Sequence, residues 1–108
     1  MGKFCKKIYR RQVGNCIFFL NKESRLHNLN GPAKIYFWDN ACIKIQEIQY
    51  LIDGKFHRNE EEGPAIATYH LNGVLRYECY IDNDVLYRTC GPVRIHYNNK
   101  GKIDCVGY

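Results

Sequence analysis

The stretch Phe56-His57-Arg58-Asn59-Glu60-Glu61-Glu62-Gly63-Pro64-Ala65-Ile66 decides the fold, because worn copies of it stand on both sides. Upstream is Leu26-His27-Asn28-Leu29-Asn30-Gly31-Pro32-Ala33-Lys34-Ile35, and downstream is Leu86-Tyr87-Arg88-Thr89-Cys90-Gly91-Pro92-Val93-Arg94-Ile95. Each copy runs from an apolar residue through His or Tyr and a polar turn to Gly-Pro-small, then into an alternating apolar run. His27, His57 and Tyr87 are equivalent, so the period is 30 residues (57 − 27 = 87 − 57). The Gly-Pro pairs at 31, 63 and 91 are spaced 32 and then 28, because the turn at 58–62 and the body of the first repeat are each two residues longer than their counterparts. Repetition of one supersecondary unit predicts an array, and an array is a scaffold whose function depends on what its faces present.

Two further landmarks keep the same register. Ten residues after each glycine of Gly-Pro comes a turn, at Asp39-Asn40-Ala41, Leu71-Asn72-Gly73 and Lys100-Gly101. Ahead of each His or Tyr stands another, at Asp53-Gly54, Asn83-Asp84 and, more loosely, Glu23-Ser24. Between these turns lie strand-like runs at 3–11, 16–20, 33–38, 43–50, 65–70, 75–81, 93–97 and 103–106, rich in β-branched and aromatic residues. The alternation slips at Glu47-Ile48, which, with the two extra residues of the first repeat, predicts a bulge there. A helix over 43–51 is the competing reading. Asn72-Gly73 between two strand-like runs is a hairpin signal, because both residues tolerate positive φ.

Short links exclude parallel crossovers. The expected fold is all-β, an antiparallel meander of stacked hairpin repeats in one twisted sheet. We read residues 1–108 as a single domain, with a degenerate half-repeat and basic arm at 1–24, repeats at 25–54 and 55–84, and a truncated one at 85–108. The Gly-Pro pairs place proline at a strand start, where its missing N–H costs the ladder nothing, and the preceding His, Tyr or Arg is expected to bond across the turn.

Charged residues at 25% and hydrophobic ones at 45% are near globular averages, which argues against wholesale disorder. The net charge of +5 is uneven: Lys3, Lys6, Lys7, Arg10 and Arg11 fall in a segment without acids, and the other eleven basic residues match eleven acidic ones. Six cysteines lack Cys-x-x-Cys spacing and any finger-like Cys/His grouping, so no metal site is expected. The first apolar run, 16–20, is too short and too late for a secretory signal. Reduced thiols in a cytoplasmic or virion-associated protein, neither secreted nor transmembrane, are the corresponding expectation.

The units resemble MORN-type repeats, in the variant branch whose units read His-Arg-x-x-Gly-Pro-Ala before strand, Asn-Gly, strand. The match runs through Leu26 to Ile35, Lys55 to Ile66 with Asn72-Gly73, and Leu86 to Ile95 with Gly101. The usual unit is shorter and carries a Tyr-x-Gly pattern absent here. The resemblance implies stacked hairpins in a single sheet and non-catalytic roles in protein binding, assembly or membrane association. Such variants occur in large DNA viruses, phages and bacteria, which implies a virion or accessory role.

Candidate binding residues fall into three groups, each with a structural alternative. Lys3, Lys6, Lys7, Arg10 and Arg11 form an arm suited to an anionic lipid or nucleic acid surface. Gly2 and Cys5 lie in a context similar to an acylated anchor, but Lys6 replaces the Ser or Thr of the myristoylation pattern. Arg58 and Arg88, near Arg94, offer a stripe for phosphate or carboxylate, against salt pairing with the acidic turns. Tyr36, Trp38 and Tyr69, with Tyr77, Tyr80 and Tyr97, offer a stacking platform, against a ladder holding the sheet. His27 and His57 are read as turn-fixing side chains. Cys90 and His96 lack the orienting third group of a nucleophile pair. The sequence therefore predicts a non-enzymatic, cofactor-free module that binds other proteins of an assembly, with oligomerisation through edge strands as a further expectation.

Overall fold

The computed structural model describes residues 7–108. Among these described residues twelve strands form: β1 (Tyr9–Val13), β2 (Cys16–Leu20), β3 (Lys34–Phe37), β4 (Ile45–Gln49), β5 (Leu51–Ile52), β6 (Lys55–Phe56), β7 (Ile66–Tyr69), β8 (Leu75–Cys79), β9 (Ile81–Asp82), β10 (Val85–Leu86), β11 (Arg94–Tyr97) and β12 (Ile103–Gly107). Eight of them make one antiparallel sheet in the order β1-β2-β3-β4-β7-β8-β11-β12. The fold is the expected meander, open at β1 and β12. Its dimensions, 49 × 37 × 17 Å, are those of a slab one sheet thick.

The long hairpins β3–β4 and β7–β8 are each followed by a small one that leaves the main sheet. The pairs β5–β6 and β9–β10 are separate two-stranded sheets, each closed by a two-residue loop. Asp53 and Gly54 have φ of 52° and 82°, and Asn83 and Asp84 have 54° and 68°, the positive pair that a type I′ turn requires. Before β3 the equivalent place is held by a single bridge, Leu20 to Leu26, with Ser24 at φ 63°. The sequence reading marked these turns but not the hairpins they close. Two-residue strands are too short to show alternation.

Three boundaries differ from expectation. Strand β1 starts at Tyr9 and runs to Val13, where the sequence placed a strand over 3–11. The run read as strand over 43–50, against a competing helix, is strand over Ile45–Gln49 (β4), with β5 following at Leu51–Ile52, because Ile48 and Gln49 pair with β7 as well as β3. The bulge lies one residue before the predicted slip: Tyr36 faces Glu47 while Phe37 faces Ile45, leaving Gln46 over. The same skip leaves out Arg76 between β7 and β8 and Asp104 between β11 and β12. The bulge is thus a property of every repeat. The two extra residues of the first repeat sit elsewhere, in its hairpin turn, closed by Trp38 N–H to Lys44 C=O where the others close from His70 to Val74 and from Asn98 to Lys102.

Cross-strand rows hold the slab together. On one face a row runs Gln12, Ile17, Ile35, Ile48, Ala67, Glu78, Ile95, Val106 through all eight strands. The acid in that apolar row is accounted for, because the Tyr97 hydroxyl donates to Glu78 Oε1 at 2.7 Å. The neighbouring row on the other face runs Val13, Cys16, Tyr36, Glu47, Thr68, Tyr77, His96, Cys105 and is largely polar or aromatic. A second small core forms where the hairpins meet: Ala65, Cys79 and Ile81 are buried, with Phe56, Ile66 and Tyr77 packed on them.

Candidate interaction surfaces

The repeat motif builds the seams between units. At the first position after the His or Tyr, Asn28 Nδ2, Arg58 Nη1 and Arg88 Nη1 donate to the carbonyls of Pro32, Pro64 and Pro92 at 3.1, 3.2 and 3.0 Å. The bond across the turn expected from sequence is therefore present, made by Asn or Arg. Both arginines also lie flat on a tyrosine: Arg58 Cζ is 3.8 Å from the Tyr50 ring centre, and Arg88 Cζ is 3.9 Å from that of Tyr80. Guanidinium over a ring face is attracted by the ring quadrupole, by about 0.5–2 kcal/mol depending on exposure.

This stacking explains the glycines. Gly63 and Gly91 have φ of 136° and 108°, and a Cβ there would stand 2.6 Å from Arg58 Nη1 and 3.0 Å from Arg88 Nη1. A Cβ on Gly31 would meet Asn28 Nδ2 at an ordinary 3.6 Å. Where Asn replaces Arg, the need for glycine relaxes.

Side chains of the motif then tie each unit to the next. His27 is buried, and its Nδ1 accepts the Asp53 N–H at 2.7 Å. His57 Nδ1 lies 2.9 Å from Asp82 Oδ1. Gly54 N–H donates to Leu26 C=O and Asp84 N–H to Phe56 C=O, both at 2.8 Å, while Phe56 N–H donates to Asp84 Oδ1 at 2.7 Å. Glu60 accepts from the Thr89 N–H and from its hydroxyl at 2.6 Å, and these bonds, hydroxyl first, hold its carboxyl below the usual range. The side-chain bonds of Arg25 and then Asn21 do the same for Asp53. Both histidines are thus turn-fixing groups, as the sequence suggested. Among the described residues no three of His, Cys, Asp or Glu converge as a metal-binding group.

Several expectations need correction. Arg58 and Arg88 do not pair with the acidic turns: among the described residues Arg25 pairs with Asp53 and His57 contacts Asp82, and the two arginines are directed onto tyrosine and proline carbonyl instead. Tyr36, Trp38 and Tyr69 do not form one platform. Tyr36 faces Thr68 across Glu47, so period-two alternation sends Tyr69 to the opposite face, and Trp38 lies beyond β3. Tyr36 instead lies under the Lys34 ammonium at 4.9 Å, and Tyr77 against His96 at 4.5 Å between ring centres. Of the arm, Lys7, Arg10 and Arg11 are exposed, while Lys3 and Lys6, with Gly2 and Cys5, lie outside the described residues.

The sequence reading named Trp38 and Tyr69 but missed the aliphatic residues that form an apolar strip at the tips of the long hairpins. Ile43 is 74% exposed, Leu71 59% and Ile45 36%. Ile43, Ile45, Tyr69 and Leu71 line a shallow depression of ≈ 430 Å³ rimmed by Lys44 and Asn72. A signal existed in the sequence: Ile43 and Leu71 occupy turn segments, where apolar residues have no core to fill. The strip sits at the end of the sheet opposite the Gly-Pro seams. Among the described residues no helix is long and apolar enough to cross a membrane. No protein-family profile, curated protein or solved structure matches the chain.

Proposed function

We propose that this chain is a non-catalytic repeat scaffold that binds other proteins, as a structural or accessory component of a larger assembly. The observation that carries the reading is the exposed strip Ile43, Ile45 and Leu71, which lines one depression with Tyr69, on a slab whose seam polar groups are tied to one another. Contiguous apolar side chains held out by a rigid frame are what protein interfaces use. His27, His57, Arg58, Arg88 and Glu60, the residues with most chemical capacity, are occupied in seams. The resemblance to MORN-type repeats supports the same reading, and a viral or virion setting rests on that resemblance alone.

A second reading has its own observation. Arg10 and Arg11 project from β1, and their side-chain bonds run to Gln12 and to the Arg10 carbonyl rather than to a carboxylate. With Lys3, Lys6 and Lys7 they suit an anionic lipid or nucleic acid surface. Two variants separate the readings when complexes from the source material are weighed under native conditions. Ile43→Ser with Leu71→Ser is expected to abolish the complex, and replacing the five arm residues with Ser is expected to leave it intact. The reverse pattern would overturn the scaffold reading in favour of the arm.

A further inference from the structure

The two edges of the sheet are built differently. At each inner seam the arriving chain brings a small residue after proline. The carbonyls of Ala33, Ala65 and Val93 accept the amides of Phe19, Tyr50 and Tyr80, each at 2.8 Å. Ala33 and Ala65 are fully buried there. Register puts Arg10 and Gln12 of β1 at the places of Ala33 and Ile35, since Arg11 and Gln12 face Phe18 and Ile17 as Lys34 and Ile35 face Gln49 and Ile48. Docking β1 on another edge in the same way would bury an unpaired guanidinium, which is strongly unfavourable. The β1 edge is a cap.

The β12 edge keeps the acceptor chemistry. Val106 holds the place of Ile48 and Glu78, the residues through which β4 and β8 meet the next unit. It is 41% exposed and Ile103 60%. On the adjoining hairpin, Val85, Leu86 and Tyr87 are 63%, 45% and 53% exposed, where Phe56 and His57 of the preceding unit are half-buried under the next hairpin. The Leu86 groups equivalent to Phe56 N–H and C=O have no bond outward among the described residues.

We infer that this end of the sheet is built to accept one further Gly-Pro hairpin unit. The filled seams define the unit's chemistry. It brings Gly-Pro-small, then a strand with apolar residues on alternate positions, then a small hairpin whose turn offers an N–H and an aspartate to the Leu86 backbone. A second copy docking through its own β1 does not qualify, because of Arg10 and Gln12. The inference rests on the scaffold reading and names the class of unit that one edge takes. Strand addition of this kind draws affinity from backbone bonds and selectivity from alternate side chains.

The test is titration of the isotope-labelled chain with a synthetic peptide of residues 62–86, followed by amide shifts. The Leu86 and Val106 amides are expected to shift. A peptide carrying Ala65→Arg is expected to bind at least tenfold more weakly. Because ladder bonds alternate sides along a strand, the Val106 amide points away from β11, so Val106→Pro removes the outer bond and leaves the inner ones. That variant is expected to lose at least tenfold in peptide affinity with unchanged amide protection in β7 and β8. Equal binding of the Ala65→Arg peptide, no shift at those amides, or a chain already dimeric through β12 in ultracentrifugation would overturn the inference. If the tip-dependent complex survives such a result, the scaffold reading stands without it.

Discussion

Gly63 and Arg58 show what the repeat motif selects for. The glycine is required twice over, by its φ of 136° and by the guanidinium lying where a Cβ would go. Gly63→Ala is expected to cost about 2–3 kcal/mol in urea unfolding, and Gly31→Ala less than about 1 kcal/mol. Combining Gly63→Ala with Arg58→Ala should cost less than the two single changes added, since one loss then serves both. The Gly-Pro pairs were plain in the sequence. The stacking of the arginines on Tyr50 and Tyr80 was not recognised, although each tyrosine precedes its arginine by eight residues. Stacking across a turn follows no short periodicity, so pattern reading passes over it. A pH consequence belongs here too. Burial first, and then the bond to Glu78, pushes the Tyr97 hydroxyl up to about 12. Burial first does the same for Tyr77, also to about 12. A folded-state pKa above the unfolded value of about 10 gives stability that is complete below pH 10 and is lost as pH rises toward 12. Phenolate absorbance should therefore rise in two stages, the second coinciding with unfolding.

At the scale of elements, the hairpin is the unit and the small hairpin is its clasp. Asp84 combines φ of 68°, an N–H on Phe56 C=O, and a carboxylate on Phe56 N–H. Asp84→Ala is expected to cost about 1–3 kcal/mol, with amide exchange quickened most at Phe56. Asp84→Asn, which keeps an acceptor and tolerates the left-handed conformation, should recover most of it. The acidic turn acts in the same sense. Its bonds to Thr89 hold the Glu60 carboxyl below its usual range, so its contribution is present above the unfolded pKa and is lost as pH falls through the folded one. Glu60→Gln should flatten the acid limb of the stability profile at the seam between β6 and β10. Long strands and their turns were legible because alternation and Asn-Gly chemistry are local. The recurring bulge was half legible: a slip was visible at Glu47-Ile48, but only pairing with Tyr36 and Phe37 shows that Gln46 is the residue left over.

At the scale of the molecule, a single-layer slab of 49 × 37 × 17 Å leaves many apolar side chains in water. The frame depends on seams, each made by a unit only with its neighbour, so stability is expected to sum along the array. The two ends differ because Arg10 and Gln12 stand where inner strands carry Ala33 and Ile35. That asymmetry was written in the sequence but unreadable without register, since only pairing shows which arm residue takes a buried place. The central claim is that the hairpin tips are the working surface. Hydrogen exchange of the chain, alone and within its native complex, tests it most directly. Protection gained over residues 38–45 and 69–73 is the predicted result, and protection confined to residues 7–13, with the tips unchanged, would contradict it.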